Sequence, residues 1–503
     1  MKQNKLLYRI LIITAFIAVN VLILFGISKV LVYLNSGADK ANLFHGDVAK
    51  EVVSNAEVTW VNLVNPGRPI EIPAKEKIEM DYLEAWYVRN KALLSGEVTG
   101  IEDTYTQMAG KNLLDLVAYN LERGLVMETI DLSHQLHLDF YSADGQLVVL
   151  TDKKVKTHTQ IFQEESYILD TEEISSYKVV MLLEGGHWRI RHLEKLESET
   201  PNVAKRSPHS FETNIAGINY YPQDSPWDTF GEDYSVETLE SDFKTIHDLG
   251  LNTIRIFIGY EDFGEGVVHQ DKLDKLSRLM DVARARDLKV IITLFDFYGD
   301  YSIGSWANTR RHASMIVDAV KAHSALLGWD VKNEPDLDFN TRSSSLVKTW
   351  LLHMTQNIQE IDPAHPVTIG WSSAEAAVHL SDYVDYVSFH HYQAMKTLPS
   401  ALEGLRAKTD KELVLQEFGM SSARGFWNPF GNSENDQLEF YTAFFENQKR
   451  DSLHYLSWTL YDFTSVPNDV AGKRPWRKNK QSSFGIINTA GENKAAYQAF
   501  LLY

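Results

Sequence analysis

From residue 212 to the end, short apolar runs alternate with amphipathic helical stretches, and this repeat limits the chain to very few folds. The runs are Ile215–Tyr220, Thr253–Ile258, Lys289–Leu294, Gly328–Lys332, Pro366–Trp371, Tyr386–His390, Glu412–Gln416 and Tyr455–Leu460. Each is nearly continuous in apolar character rather than alternating, so each predicts a strand buried on both faces, in a parallel sheet with crossover helices. Eight such units match the size and count of a (β/α) eight-stranded TIM barrel, whose strands all open their carboxyl ends onto one face.

That geometry selects the polar residues at strand ends as candidates for chemistry: Arg255, Asp296, Asn333, Glu334, His390, Tyr392, Glu417 and Trp458. Polar groups inside a packed barrel must be satisfied by one another or by a ligand. Two glutamates stand out, in Trp329-Asp330-Val331-Lys332-Asn333-Glu334-Pro335 and in Leu415-Gln416-Glu417-Phe418-Gly419. Each follows a strand run, so the two carboxylates can meet across a cleft, as glycosidic bond hydrolysis requires. Alone, Asn-Glu-Pro is equally a helix cap followed by a first-turn proline.

With the strands in this order, residues 212–503 resemble glycoside hydrolase family five, of the retaining clan of barrel glycosidases. Asn-Glu-Pro after the fourth strand and Glu-Phe-Gly after the seventh carry the resemblance. Arg255 on the second, His390-His391-Tyr392 after the sixth and Trp458 on the eighth support it. It implies Glu334 as acid/base and Glu417 as nucleophile, with Arg255, Asn333, His390 and Tyr392 in support. A retaining mechanism needs one protonated and one ionised carboxyl; the negative charge of Glu417 is expected to keep Glu334 protonated. Family members usually carry a histidine at the end of the third strand, where this chain has Phe295-Asp296-Phe297-Tyr298. Asp296, Trp458, Trp306, Trp371 and Tyr220 are expected to bind substrate. Aromatic residues crowd the same loops, also including Tyr221, Trp227, Tyr298, Tyr301, Trp427 and Trp476, and suggest an open groove for a polymer.

At the other end, the 19 residues from Ile10 to Ser28 carry no charge and would span roughly 28 Å as a helix, close to the thickness of a bilayer core. Lys2, Lys5 and Arg9 precede them, which predicts a cytoplasmic amino terminus and an extracellular or periplasmic remainder. Ser36-Gly37-Ala38 leaves cleavage of a signal peptide, and secretion, as the alternative. Residues 1–34 are therefore read as tip and anchor, and residues 35–72, with Asn65-Pro66-Gly67, as linker.

Residues 73–198 pass from a helical period to long alternating strands with turns at Asp144-Gly145 and Gly185-Gly186, an α+β unit. The order is similar to the cone-shaped nuclear-transport-factor-2-like domains, which implies a spacer, an interaction module or a means of self-association. His134, His137 and Asp139 lie on the polar side of a strand and are read as solvated rather than as metal ligands. Asp336-x-Asp338-x-Asn340 lacks the glycine and glutamate of a calcium loop. Residues 199–211 form a hinge. No metal or cofactor is expected, and a net charge of −19 argues against nucleic acid as a partner. The expected activity is retaining hydrolysis of a β-1,4-linked glucan or mannan, cut internally. An inactive glycan-binding scaffold and a transglycosylase are the alternatives.

Overall fold

The computed structural model describes residues 56–63, 68–163, 166–200, 205–425 and 428–502. The apolar run at 10–28, the candidate cleavage site at 36–38 and Trp427 lie outside the described residues. Among the described residues no helix is long and apolar enough to cross a membrane.

The first unit is a sheet in the order β1 (Glu57–Asn62), β2 (Leu125–Tyr141), β3 (Leu147–Gln163), β4 (Ser166–Glu184) and β5 (His187–Glu199). β1 runs parallel to β2; the other pairs are antiparallel. The turns fall at the glycines expected, with Gly145, Gly185 and Gly186 at φ +71°, +61° and +90°. Helices Ile72–Ser95 and Gln107–Glu122 bury Ile78, Tyr82, Trp86, Leu113 and Val117 against Leu136, Leu150, Val179 and Met181 of the sheet. β1 falls in the stretch read as linker. Its Val58-Thr59-Trp60-Val61 favours extended backbone, and Trp60 Nε1 is tied to Glu79 at 2.7 Å.

His134 is not solvated. It is buried between two aspartates, with Nδ1 2.6 Å from Asp152 and Nε2 3.1 Å from Asp131. Tyr82 and Asn90 donate to the same carboxylates. Alternation along β2 points this histidine at the helices, so the polar position is an interior one carrying its own counter-charges.

The second unit is a closed barrel of β6 (Ala216–Asn219), β7 (Thr253–Gly259), β8 (Lys289–Asp296), β9 (Leu326–Asn333), β10 (Val367–Trp371), β11 (Val387–His391), β12 (Leu413–Phe418) and β13 (His454–Ser457). All eight neighbouring pairs are parallel. Strand alternation separates two sets of side chains. Ile254, Ile256 and Ile258 pack outward into the core shared with the helices, whereas Arg255 and Phe257 point to the barrel axis. Ile215, Ile291, Tyr386, Val414 and Leu456 form a separate apolar cluster, and above it the inward residues become polar toward the strand carboxyl ends.

Candidate active site

Arg255, fully buried, organises the open end of the barrel. Its Nη1 donates to Glu417 Oε1 at 2.6 Å and to Asn219 Oδ1 at 3.1 Å. Its Nη2 donates to Asp330 at 2.6 Å and to Asn333 Oδ1 at 2.8 Å, while Nε donates to Thr293 at 2.9 Å. The guanidinium fork is saturated by five groups from four strands, which fixes each of them relative to the others.

The second oxygen of Glu417 accepts the Tyr392 hydroxyl at 2.7 Å. Glu334 leaves β9 with φ +45°, an unusual backbone for a residue with a Cβ, and its N–H donates to Gly370 O at 2.7 Å. Its Oε1 lies 2.8 Å from His390 Nδ1, and the same nitrogen is 3.5 Å from Glu417. One ligand atom from each of Glu334, His390 and Glu417 lies within 4.8 Å of the other two. Such a trio could hold a metal, but both Glu417 oxygens and Glu334 Oε1 already have donors.

The protonation pattern departs from the one expected. Burial pushes the Glu334 carboxyl up, but the His390 hydrogen bond and the charges of His390, Arg255 and Lys332 outweigh it and hold Glu334 below the usual carboxylate range. Burial in turn lowers His390, yet the charge of Glu417 and the bond to Glu334 prevail and raise it. The proton assigned to Glu334 from sequence thus rests on His390 here, because an imidazole bridges the two carboxylates. Neither strand run announces that bridge.

Asp296 sits at the end of β8, with Oδ2 accepting from Tyr221 at 2.8 Å, and burial pushes it up to about 6. Tyr221 stacks on Phe257 at 4.9 Å, and Trp458 closes on both rings edge-on. The indole N–H of Trp458 and His390 Nε2 are buried without a hydrogen-bond partner.

Other expected sugar platforms are not available. Trp306, Trp371 and Tyr220 are buried to 0%, 2% and 0% exposure and present no ring face. The Tyr220 hydroxyl is bonded to Asp242, and Trp306 is packed between two histidines. Tyr221, Tyr298 and Tyr301 are buried as well. The aromatic loops are therefore mainly packing that supports the cleft, since large rings bury more area than a small loop can otherwise provide.

Asp330, Asn219 and Thr293 complete the Arg255 cage and were missed from sequence. Asp330 could have been found as a charge in the middle of a buried strand, four residues before Glu334.

The model of the family described as Cellulase (glycosyl hydrolase family 5) matches residues 207–464, more than half of the chain. The chain belongs to glycoside hydrolase family 5. That family is one of retaining glycoside hydrolases. No curated protein matches the sequence. Among solved structures, the exo-beta-1,4-mannosidase Op5Man5 from Opitutaceae bacterium strain TAV5 is similar at 20% identity and a TM-score of 0.47, covering 57% of this chain and 58% of that one. This family 5 chain thus spans less than two thirds of that mannosidase's length. GH5_18 from Streptomyces cattleya, in complex with GlcNAc, is similar at 16% identity and a TM-score of 0.48, with coverage of 59% and 80%. Bacteroides uniformis beta-glucuronidase 3 is similar at 14% identity and a TM-score of 0.46, with coverage of 75% and 52%.

Proposed function

We propose that Glu334 and Glu417 are the acid/base and nucleophile of a β-glycosidase that cuts a β-1,4-linked glucan or mannan outside the membrane. The observation carrying this reading is the approach of the two carboxylates to within 4.8 Å with separate partners. That spacing suits double displacement, for which about 5–5.5 Å is usual, and is too short to seat a water for inversion.

Glu417 attacks the anomeric carbon while a proton passes to the glycosidic oxygen, which leaves as an alcohol. That proton comes from His390, relayed along the 2.8 Å bond through Glu334, so the step leaves Glu334 ionised and His390 neutral. Glycosylation of Glu417 removes a negative charge next to His390 and Glu334. Glu334 then takes a proton from water as the water oxygen attacks the anomeric carbon and Glu417 departs. With Asn333 Oδ1 taken by Arg255, the side-chain amide is left to donate to the sugar 2-hydroxyl. Trp458 and Asp296 bound the space where that sugar would sit.

Internal cleavage is the first reading, and four exposed rings, Phe297, Tyr392, Phe430 and Trp476, support a cleft of several subsites. Action from a chain end is the second, favoured by the burial of Tyr220, Tyr221, Tyr298, Tyr301, Trp306 and Trp371. Product sizes from β-1,4-mannan and β-1,4-glucan distinguish them: a spread of oligosaccharides supports internal cleavage, and a single short product from the first minutes refutes it. On the same substrates Glu417→Ala and Glu334→Gln are expected to lower the rate at least ~10³-fold. A wild-type chain inactive on both polymers and on xylan would favour the scaffold reading.

A further inference from the structure

The α+β unit meets the barrel at the loop that leaves β8. β2 lies against the turn at Ile303–Ser305 and the helix Trp306–Val320, and Leu132 of β2 belongs to the barrel's own apolar core. Trp306, the first residue of that helix, is held between His158 of β3 and His353 of the helix Ser344–Ile361. Ring centroids are 4.1 Å apart on one side and 4.4 Å on the other. Around this stack, Glu172 of β4 reaches 3.5 Å from His353 Nδ1 and 3.0 Å from Lys156 Nζ; Asp170 is 3.7 Å from His158. Lys156 in turn lies 3.9 Å from Glu360 of the barrel.

From Trp306 the connections run straight to the cleft. Its indole N–H donates to Tyr301 O at 3.4 Å, and the Tyr301 hydroxyl donates to Asp338. Asp338 ends the single turn Pro335–Asp338 that follows Glu334, and Lys332 lies 3.8 Å from it. Tyr298 donates to Ser305 at 2.8 Å and stacks on Trp350, and Arg342 donates to Gly299 O at 3.1 Å. The two ends of this network carry strained backbone, Phe297 at φ +58° beside Asp296 and Glu334 at φ +45°. Strain of this kind persists only where the surroundings over-determine it.

We propose that the α+β unit is a working part of the hydrolase: through the His158–Trp306–His353 stack it holds the 297–305 loop, and with it the turn that aims Glu334. His158, Trp306 and His353 are positioning residues, since none of them touches the cleft. The inference rests on Glu334 and Glu417 being the catalytic pair. Its pH dependence follows from the same packing. Burial pushes both imidazoles down to about 4, with Lys156 and Arg310 adding to the effect and Glu172 and Asp170 opposing it. An undocked histidine titrates near 6.5, so docking is fully supported above that pH and weakens as pH falls from there toward about 4.

The test uses the full chain, with β-1,4-linked cello- and manno-oligosaccharides as substrates, whose sugar leaving groups need the proton from Glu334. The matching 2-deoxy-2-fluoro glycosyl fluorides trap Glu417 and count competent barrels. His158→Glu, which places a charge in the stack, is expected to lower kcat on the order of 10- to 100-fold with KM little changed and trapping still complete. His158→Phe keeps a ring on Trp306 and is expected to preserve kcat at pH 7 and to retain more of it than wild type at pH 5. His192→Ala, on an exposed histidine of β5, is expected to match wild type. Unchanged kcat in His158→Glu overturns the proposal. If that variant fails to trap, His158→Phe decides, and a pH profile identical to wild type overturns it. A wild type that neither turns over nor traps refutes the catalytic assignment itself.

Discussion

A single imidazole decides how the two carboxylates share their charge. His390 lies against Glu334 and Glu417 together, so in the proposed mechanism the group that must be protonated for bond cleavage is the Glu334–His390 pair rather than the glutamate alone. Burial lowers His390, but the charge of Glu417 and the bond to Glu334 outweigh it and raise it above its usual 6.5, so the pair holds its proton to higher pH than a free imidazole would. His390→Gln should therefore move the basic limb of the kcat/KM profile to lower pH and leave binding of the 2-fluoro inhibitor in place. An unmoved limb would return the acid role to Glu334 by itself. His134 titrates in the opposite sense to the histidines at the domain seam. Burial lowers it, but the charges of Asp152 and Asp131 raise it to about 10. A group raised on folding stabilises below about 6.5 and loses that contribution as pH rises to about 10. Thermal stability of the α+β unit should thus fall over that range, and His134→Phe, which strands two buried carboxylates, should cost about 3–5 kcal/mol in a denaturant titration.

Among the elements, β10 shows how closely the barrel strands are fitted around Arg255. A Cβ on Gly370 would meet Gln416 Oε1 at 2.6 Å, Arg255 Nη2 at 3.0 Å and Asp330 Oδ2 at 3.1 Å. Gly370→Ala should cost about 1–3 kcal/mol in stability through overpacking, and should lower kcat by displacing the guanidinium that holds Glu417. Calorimetry read beside kcat tests this: normal kcat in a destabilised variant would mean that the cage relaxes without moving Glu417. The element pattern itself is largely legible in the chain, because continuous apolar runs separated by helices have few other ways to be buried. β1 escaped that reading since a lone edge strand of six residues carries too little pattern to stand out from a linker.

For the whole molecule, three parts are expected to act in series: an apolar segment, an α+β unit and a barrel. If residues 10–28 anchor the chain, full-length protein will sediment with membranes and resist extraction by alkaline carbonate, while a chain starting at residue 35 will not. If the full-length chain is expressed and recovered in the soluble fraction with its first residues missing, cleavage is favoured. The seam between the two folded units was invisible in the sequence. Trp306 reads there as one more loop aromatic, and only its place between imidazoles from two units shows what it supports.

By itself the sequence determined the barrel, the family and the placing of two glutamates at strand ends, because strand burial and motif spacing are local properties that survive without coordinates for anything else. What only the tertiary structure decided were the partners: Asp330, Asn219 and Thr293 around Arg255, the imidazole between the carboxylates, and the burial of rings that looked ready for sugar. Those depend on which strand ends meet across the barrel and on how many neighbours enclose a side chain. No run of residues along the chain carries that information, since hydrogen bonding and exclusion of water are fixed by proximity in space.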